Sequence, residues 1–321
     1  MNPFPGLIRL LEHSDNKIAS DAIILIFLFL EVGCKTTSNT EQHPHYESIQ
    51  TCHGIQKIFT LFQKNGSKYC KDRAAICLGY LFKAHLIADP IMRHEIICHL
   101  KILLNDSDDW LKGQTKNALK YLAKNDNIQL RRDSINVGII EALLRIFASR
   151  NLDYISLSYT SVFLAFTYPS NFDIYQLLIE KQPFPPLLRL FNHKDENVVS
   201  NTVAAICNIL YYSALESELN QQHPFFAVLA SAGGIEKIHS LFKKTKNQFS
   251  KKSSSICLGI VLRAQEIKDS NMRKEVIVHL KSIINDPQKN LNKLVQYALK
   301  CLAQNIVNRN EIEGDGFSIP E

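Results

Sequence analysis

A chain of 321 residues that is 45% hydrophobic and 21% charged can bury a sizeable core, as two globular domains or as one long repeat array. Its net charge of +6 is too modest for this length to announce nucleic acid, and none of its eight cysteines forms a C-x-x-C pair. The cysteines sit mostly within apolar helical patterns, which excludes a disulfide framework and points to buried thiols in a reducing compartment.

The elements read as helices in pairs. A short amphipathic helix over 7–11 is followed by a polar turn (His13, Ser14, Asp15, Asn16) and a longer, more apolar helix over 17–32. The window 22–30 lies between Asp21 and Glu31 and is about half as long as a membrane span needs, so it reads as a core helix with thin cover. Met1 leads directly to Pro3 and Pro5 rather than to a charged leader. The expected location is the cytoplasm, or the nucleus as well. Gly54 opens the next pair, with Ile58, Leu61 and Phe62 on one face, followed by a helix over 73–83. Further pairs fall at 95–104 with 110–124, 138–147 with 154–168, 186–191 with 197–212, 234–242 with 253–264, and 275–284 with 292–305. An additional short helix precedes two of them, at 174–180 and 225–230. Gly54, Gly138 and Gly234 recur where one helix must turn sharply into the next, so a side-chain clash or a positive φ is expected there. The segment 307–321 is polar, acidic and glycine-containing, and reads as a disordered tail.

The chain writes one block twice. Ile76-Cys77-Leu78-Gly79, Met92-Arg93, Glu95 and His99-Leu100-Lys101 return 180 positions later as Ile256-Cys257-Leu258-Gly259, Met272-Arg273, Glu275 and His279-Leu280-Lys281. Pro3-Phe4-Pro5 matches Pro183-Phe184-Pro185, and His43-Pro44 matches His223-Pro224, at the same offset. About a third of the positions between 1 and 125 are identical to their counterparts without a gap. The last apolar residues of the shorter helices (Leu11, Phe62, Leu104, Phe147, Phe191, Phe242, Ile284) step by 42–44 residues, or by 51 where the chain carries an insertion. That period is the mark of a stacked helical array, in which one pair cannot enclose its own apolar face and neighbours close the core.

Two stretches carry a family resemblance. Ala232-Gly233-Gly234-Ile235-Glu236-Lys237-Ile238, followed by Leu241-Phe242, resembles the second helix of an armadillo repeat with its small-residue corner. Glu196-Asn197-Val198-Val199, running on to Ala204-Ala205-Ile206-Cys207-Asn208-Ile209-Leu210, is similar to the third helix, with Asn208 on the family's groove asparagine. The resemblance covers about 3–305 and implies an all-α, right-handed α-solenoid of about seven armadillo-like repeats over 1–306, the first lacking its first helix. It also implies a concave groove lined by third helices.

No P-loop, GxSxG or kinase-type loop is present, so no enzyme and no cofactor are expected. His43-Pro44-His45 lacks the three or four converging ligands of a metal site, and its counterpart keeps one histidine; a surface turn is expected, with no metal. His94 and Cys98 stand i, i+4, yet Lys274 and Val278 replace them in the second block. His99 and His279 suit packing at a helix boundary, and Asp108-Asp109 suits helix capping.

A binding surface is the better reading. Carrying the groove asparagine across the repeats places Tyr80, Tyr121 and Phe166 at positions equivalent to Asn208, and Asn117 and Tyr297 at the position four residues earlier, where the family carries tryptophan. This departs from nuclear-import receptors, since the one tryptophan, Trp110, lies elsewhere. Lys112, Lys116, Lys120 and Lys124, spaced by four, would lay a basic stripe beside Asn117 and Tyr121. The expected partner is a protein segment, extended or helical, with acidic and apolar residues, held by a non-enzymatic scaffold. The alternatives are a binder of nucleic acid or an acidic surface through a lysine-rich loop over 243–252, where stacking aromatics are lacking, and a targeting piece of a larger armadillo-containing protein.

Overall fold

In this computed structural model, residues 2–38, 41–64, 67–123, 128–167, 172–285 and 289–319 are described, and among them regular structure is helical. In chain order the helices are α1 (Phe4–Leu10), α2 (Asn16–Thr36), α3 (Tyr46–Gln50), α4 (Gly54–Gln63), α5 (Lys68–Leu81), α6 (Pro90–Leu103), α7 (Asp109–Ala123), α8 (Ile128–Val137), α9 (Ile139–Ser149) and α10 (Leu157–Phe166). They continue as α11 (Phe172–Glu180), α12 (Phe184–Arg189), α13 (Glu196–Ala214), α14 (Phe226–Ser231), α15 (Gly234–Lys244), α16 (Gln248–Val261), α17 (Ser270–Ile283), α18 (Lys289–Leu302) and α19 (Ile306–Glu313). The chain divides into two compact units, 1–142 with 161–166, and 143–160 with 167–321.

In the first unit α5 is the central helix, packed by α2, α4, α6 and α7. Ala74 to Leu81 are buried at every position, which requires small or apolar residues all the way round. This is why Ile76-Cys77-Leu78-Gly79 stands out in the sequence. A Cβ on Gly79 would lie 2.7 Å from that of Ala118 on α7, so the crossing depends on its absence. The second unit repeats the arrangement around α16, whose Ser253 to Val261 are all buried, and Gly259 meets Ala298 of α18 in the same way at 2.8 Å. Cys77 Sγ and Cys257 Sγ each point at a carbonyl 54 residues earlier, Ile23 O and Val203 O, both at 3.9 Å.

The sharp corners expected at Gly54 and Gly234 are found, with the work divided between two neighbours. A Cβ at Gly54 would sit 2.8 Å from Ile49 O, and one at Gly234 would sit 2.8 Å from Leu229 O. The left-handed turn falls one residue earlier, at His53 (φ 55°) and Gly233 (φ 66°).

Two expectations are corrected. The region 307–321 is not simply a tail, because α19 occupies Ile306–Glu313 and stands to α18 as α8 stands to α7. Arg131 Nε donates to Ala123 O at 2.9 Å, and Arg309 Nε donates to Ala303 O at 2.7 Å. Buried Asn308 ties α19 down, its Nδ2 donating to Gln265 O at 2.7 Å. The His-Pro segments are not surface turns either: His43 and His223 are each 2% exposed. Each donates from Nε2 to a helix carbonyl at 2.9 Å, Leu30 O on α2 and Leu210 O on α13, while Nδ1 accepts a backbone N–H from His45 or Phe225. The thin cover expected for α2 is found: Ile23, Ile26, Phe27 and Leu30 are buried, whereas Leu25, Leu28, Phe29 and Val32 are exposed.

Candidate partner-binding surface

The groove positions inferred from the sequence do not all reach the surface. Tyr80 is fully buried, because Phe27 of α2 and Trp110 of α7 meet above α5 with ring centroids 5.3 Å apart. Phe27 also packs on Tyr80 itself at 5.6 Å, and the Tyr80 hydroxyl donates to Gln114 Oε1. Tyr121, half-buried, closes the other side of that ring at 5.2 Å. Phe166 is 1% exposed. Two of the aromatic groove residues are therefore core.

The basic stripe is likewise not laid out for a partner. Lys112 Nζ pairs with Asp109 Oδ1 at 2.7 Å, Lys116 is only 8% exposed, Lys120 is half-buried, and Lys124 lies outside the described residues. Asn117 is half-buried beside them. Asp108 caps α7 as expected, accepting from Trp110 N at 2.8 Å and Leu111 N at 3.2 Å.

In the second unit Asn208 is half-buried and its Nδ2 donates to Thr167 Oγ1 at 3.2 Å, within the protein's own framework. Tyr297 of α18 reaches across α16 to α13, where its hydroxyl donates to Ala214 O at 3.0 Å and its ring meets Tyr211 edge-on at 5.4 Å. The lysine-rich run over 243–252 is mostly helix rather than loop: Lys243 and Lys244 end α15, and Lys251 and Lys252 belong to α16.

What the sequence reading missed lies at the amino-terminal ends of α5 and α7. The Arg73 guanidinium stacks on the Tyr69 ring at 3.2 Å and stands 5.0 Å from the Trp110 ring. Tyr69 and Trp110 are 39% and 41% exposed, and Leu28 of α2 is 47% exposed. A cation held between aromatic faces keeps its charge while losing little rotamer freedom on binding. The signal in the sequence is the lone tryptophan, which lies off the family's tryptophan position.

A second missed pair is structural. Lys83, just past α5, is fully buried, and its Nζ donates to Cys34 O, Thr37 O and Thr37 Oγ1 at 3.4, 3.2 and 2.7 Å, closing the carbonyl end of α2. Arg263 does the same in the second unit, donating to Ala214 O at 2.8 Å and to Ser217 Oγ at 2.6 Å.

Among the described residues no group of three or more His, Cys, Asp or Glu is placed to hold a metal ion, and no helix is long and apolar enough to cross a membrane.

Neither a scan against protein-family models nor a search of curated proteins finds a match. Solved structures do match. An engineered protein aligns with 98% of this chain and 72% of its own, at 14% identity and a TM-score of 0.70. A designed armadillo repeat protein aligns with 80% of this chain and 99% of its own, at 16% identity and a TM-score of 0.60. A further designed armadillo repeat protein, in complex with the peptide (KR)4, gives the same coverage and TM-score at 14% identity. At such identities the likeness is one of fold, and the fold is the armadillo-like helical repeat.

Proposed function

We propose that the protein is a non-enzymatic scaffold that holds a segment of a partner protein, with the Tyr69–Arg73–Trp110 stack as its anchor. The observation that carries this reading is a guanidinium sandwiched between two rings that are each about two-fifths exposed, on neighbouring third helices. Leu28, next in the chain to the Phe27 that packs on Trp110, is 47% exposed and adds apolar surface. Exposed, pre-ordered aromatic and arginine side chains are the groups that dominate binding energy at protein interfaces. The partner chemistry that matches is acidic and apolar: carboxylates for Arg73, aliphatic or aromatic side chains for the rings and Leu28. A designed armadillo repeat protein of this fold is known in complex with a peptide, which supports the reading. That peptide is basic, whereas this patch is cationic, so the charge preference here is the reverse.

Trp110 is the one tryptophan of the chain, so its fluorescence reports on this patch alone. Titration with a peptide alternating glutamate and leucine is expected to change that emission saturably, and Arg73→Glu is expected to weaken binding at least tenfold, about 1.4 kcal/mol. Raising salt should weaken the wild type more than the variant. Equal affinity in the two proteins would remove Arg73 from the reading.

A further inference from the structure

A pocket occurs twice in the molecule, once in each unit, built from residues 180 positions apart. The first, a cavity of 560 Å³, is lined by Phe62 of α4, Lys71 of α5, and Glu95, Cys98, His99 and Ile102 of α6. The second, of 400 Å³, is lined by Phe242 and Lys243 of α15, Lys251 of α16, and Glu275, Val278 and His279 of α17. In both a lysine ammonium stands over the phenylalanine ring, Lys71 over Phe62 at 5.1 Å and Lys251 over Phe242 at 5.4 Å. In both a histidine meets the same ring, at 5.3 Å for His99 and 5.2 Å for His279. These pockets are separate from the surface proposed above. Lys71 lies two residues from both Tyr69 and Arg73, which at about 100° per residue puts it on the opposite side of α5 from them.

The shared frame carries different charges. In the first pocket Glu95 accepts only from the neutral Gln63 amide at 3.1 Å, so it remains as a counter-charge to Lys71. Beneath it Asp72 receives His99 Nε2 on Oδ1 at 2.8 Å and the Lys68 ammonium on Oδ2 at 2.8 Å, and Lys68 is shared with Asp106 at 2.9 Å. In the second pocket Gln63 is replaced by Lys243 and Asp72 by Lys252. Glu275 is already engaged by Lys243 at 3.3 Å and His239 at 3.4 Å. Lys251 makes no ion pair among the described residues, and His279 Nε2 is buried without a hydrogen-bond partner. Val278, 57% exposed, supplies an apolar lip. The second pocket therefore has a surplus cation, an aromatic floor and an apolar edge, whereas the first is balanced.

We infer that the pocket over Phe242 is a binding site for a carboxylate on an aliphatic stem, such as a glutamate side chain of a protein segment, with Lys251 as the charge that receives it. The first pocket is its inactive counterpart, neutralised from within by Glu95, with Asp72 held between His99 and Lys68.

The test uses the full chain with 15N-labelled histidines and two probes, acetyl-Leu-Glu-Leu-amide and its Leu-Gln-Leu counterpart. The glutamate peptide is expected to shift the His279 ring signals saturably while leaving those of His99 in place, and the glutamine peptide to shift neither. Lys251→Gln should weaken the response at least fivefold, and Lys251→Arg should retain it. Lys252→Asp, which installs the first pocket's carboxylate beneath the histidine, should weaken it as well. Equal responses to the two peptides, or an unchanged titration in a folded Lys251→Gln protein, would overturn the assignment. So would a peptide that alters Trp110 emission and leaves His279 unmoved, since that outcome belongs to the other surface.

Discussion

Single atoms decide several of the contacts that the sequence repeats. Gly79 is conserved between the two blocks because its missing Cβ is where Ala118 Cβ sits, and Gly259 repeats this against Ala298. Gly79→Ala forces the two helices apart or the side chain into its neighbour, and is expected to cost about 1–3 kcal/mol, read from urea denaturation. The gain in helix propensity from glycine to alanine, about 1 kcal/mol, works against this and sets the lower bound. Gly113, with nothing within 4 Å of its added Cβ, is the control: Gly113→Ala should stabilise or leave the midpoint unchanged. The sequence marked Gly79 as part of a repeated string without saying what it touched, because a glycine's contact partner lies on another helix and leaves no local pattern.

At the scale of the helix, periodicity carried most of the reading. The paired helices lie close to where the spacing of Ile58, Leu61 and Phe62 and its counterparts put them, with ends differing by a few residues. Short first helices were harder: α11 and α14 were legible, whereas α3 has only five residues and too few turns to show a period, and α8, at ten residues, is dominated by polar side chains such as Gln129, Arg131, Arg132 and Asp133. The site was less legible than the fold. Whether Tyr80 lines a groove or fills the core depends on Phe27 and Trp110 meeting above it, a contact between residues far apart in the chain. The clamps at the helix exits escaped notice for the same reason, although lysine and arginine at equivalent places suggest a test. Lys83→Arg should be nearly neutral, since Arg263 performs the same closure. Lys83→Met should lose about 2–4 kcal/mol by leaving the carbonyl end of α2 buried and unpaired, measured by thermal or urea unfolding.

For the molecule as a whole, the paired histidine locks set a response to acid. Burial is the main reason that His43 and His223 are both pulled down to about 4 from an ordinary 6.5. The geometry agrees, since Nδ1 of each ring accepts a backbone N–H and has no room for a proton. Below pH 6.5 the unfolded chain takes up protons at these positions that the folded chain refuses. Stability is therefore whole above about pH 6.5 and declines as the pH falls towards 4, by about 2–3 kcal/mol for each histidine. His45, His85, His99 and His279 are displaced in the same direction and steepen the same slope. Urea midpoints measured from pH 7.5 to 4.5 should fall steadily. The double variant His43→Gln, His223→Gln should begin lower and show a flatter decline; an unchanged slope would mean that the rings are not the groups being titrated.

The lysine and arginine closures at the exits of α5 and α16 also bear on how the molecule breathes. A terminal helical turn ordinarily frays and exchanges its amide protons long before anything else opens. Here the last turn of α2 is fastened to the end of α5 through Thr37, and that of α13 to the end of α16 through Ser217. Neither end can loosen alone. Deuterium uptake at 33–37 should keep pace with uptake at 81–83, and uptake at 213–217 with that at 261–263, as if each pair of ends were one cooperative patch.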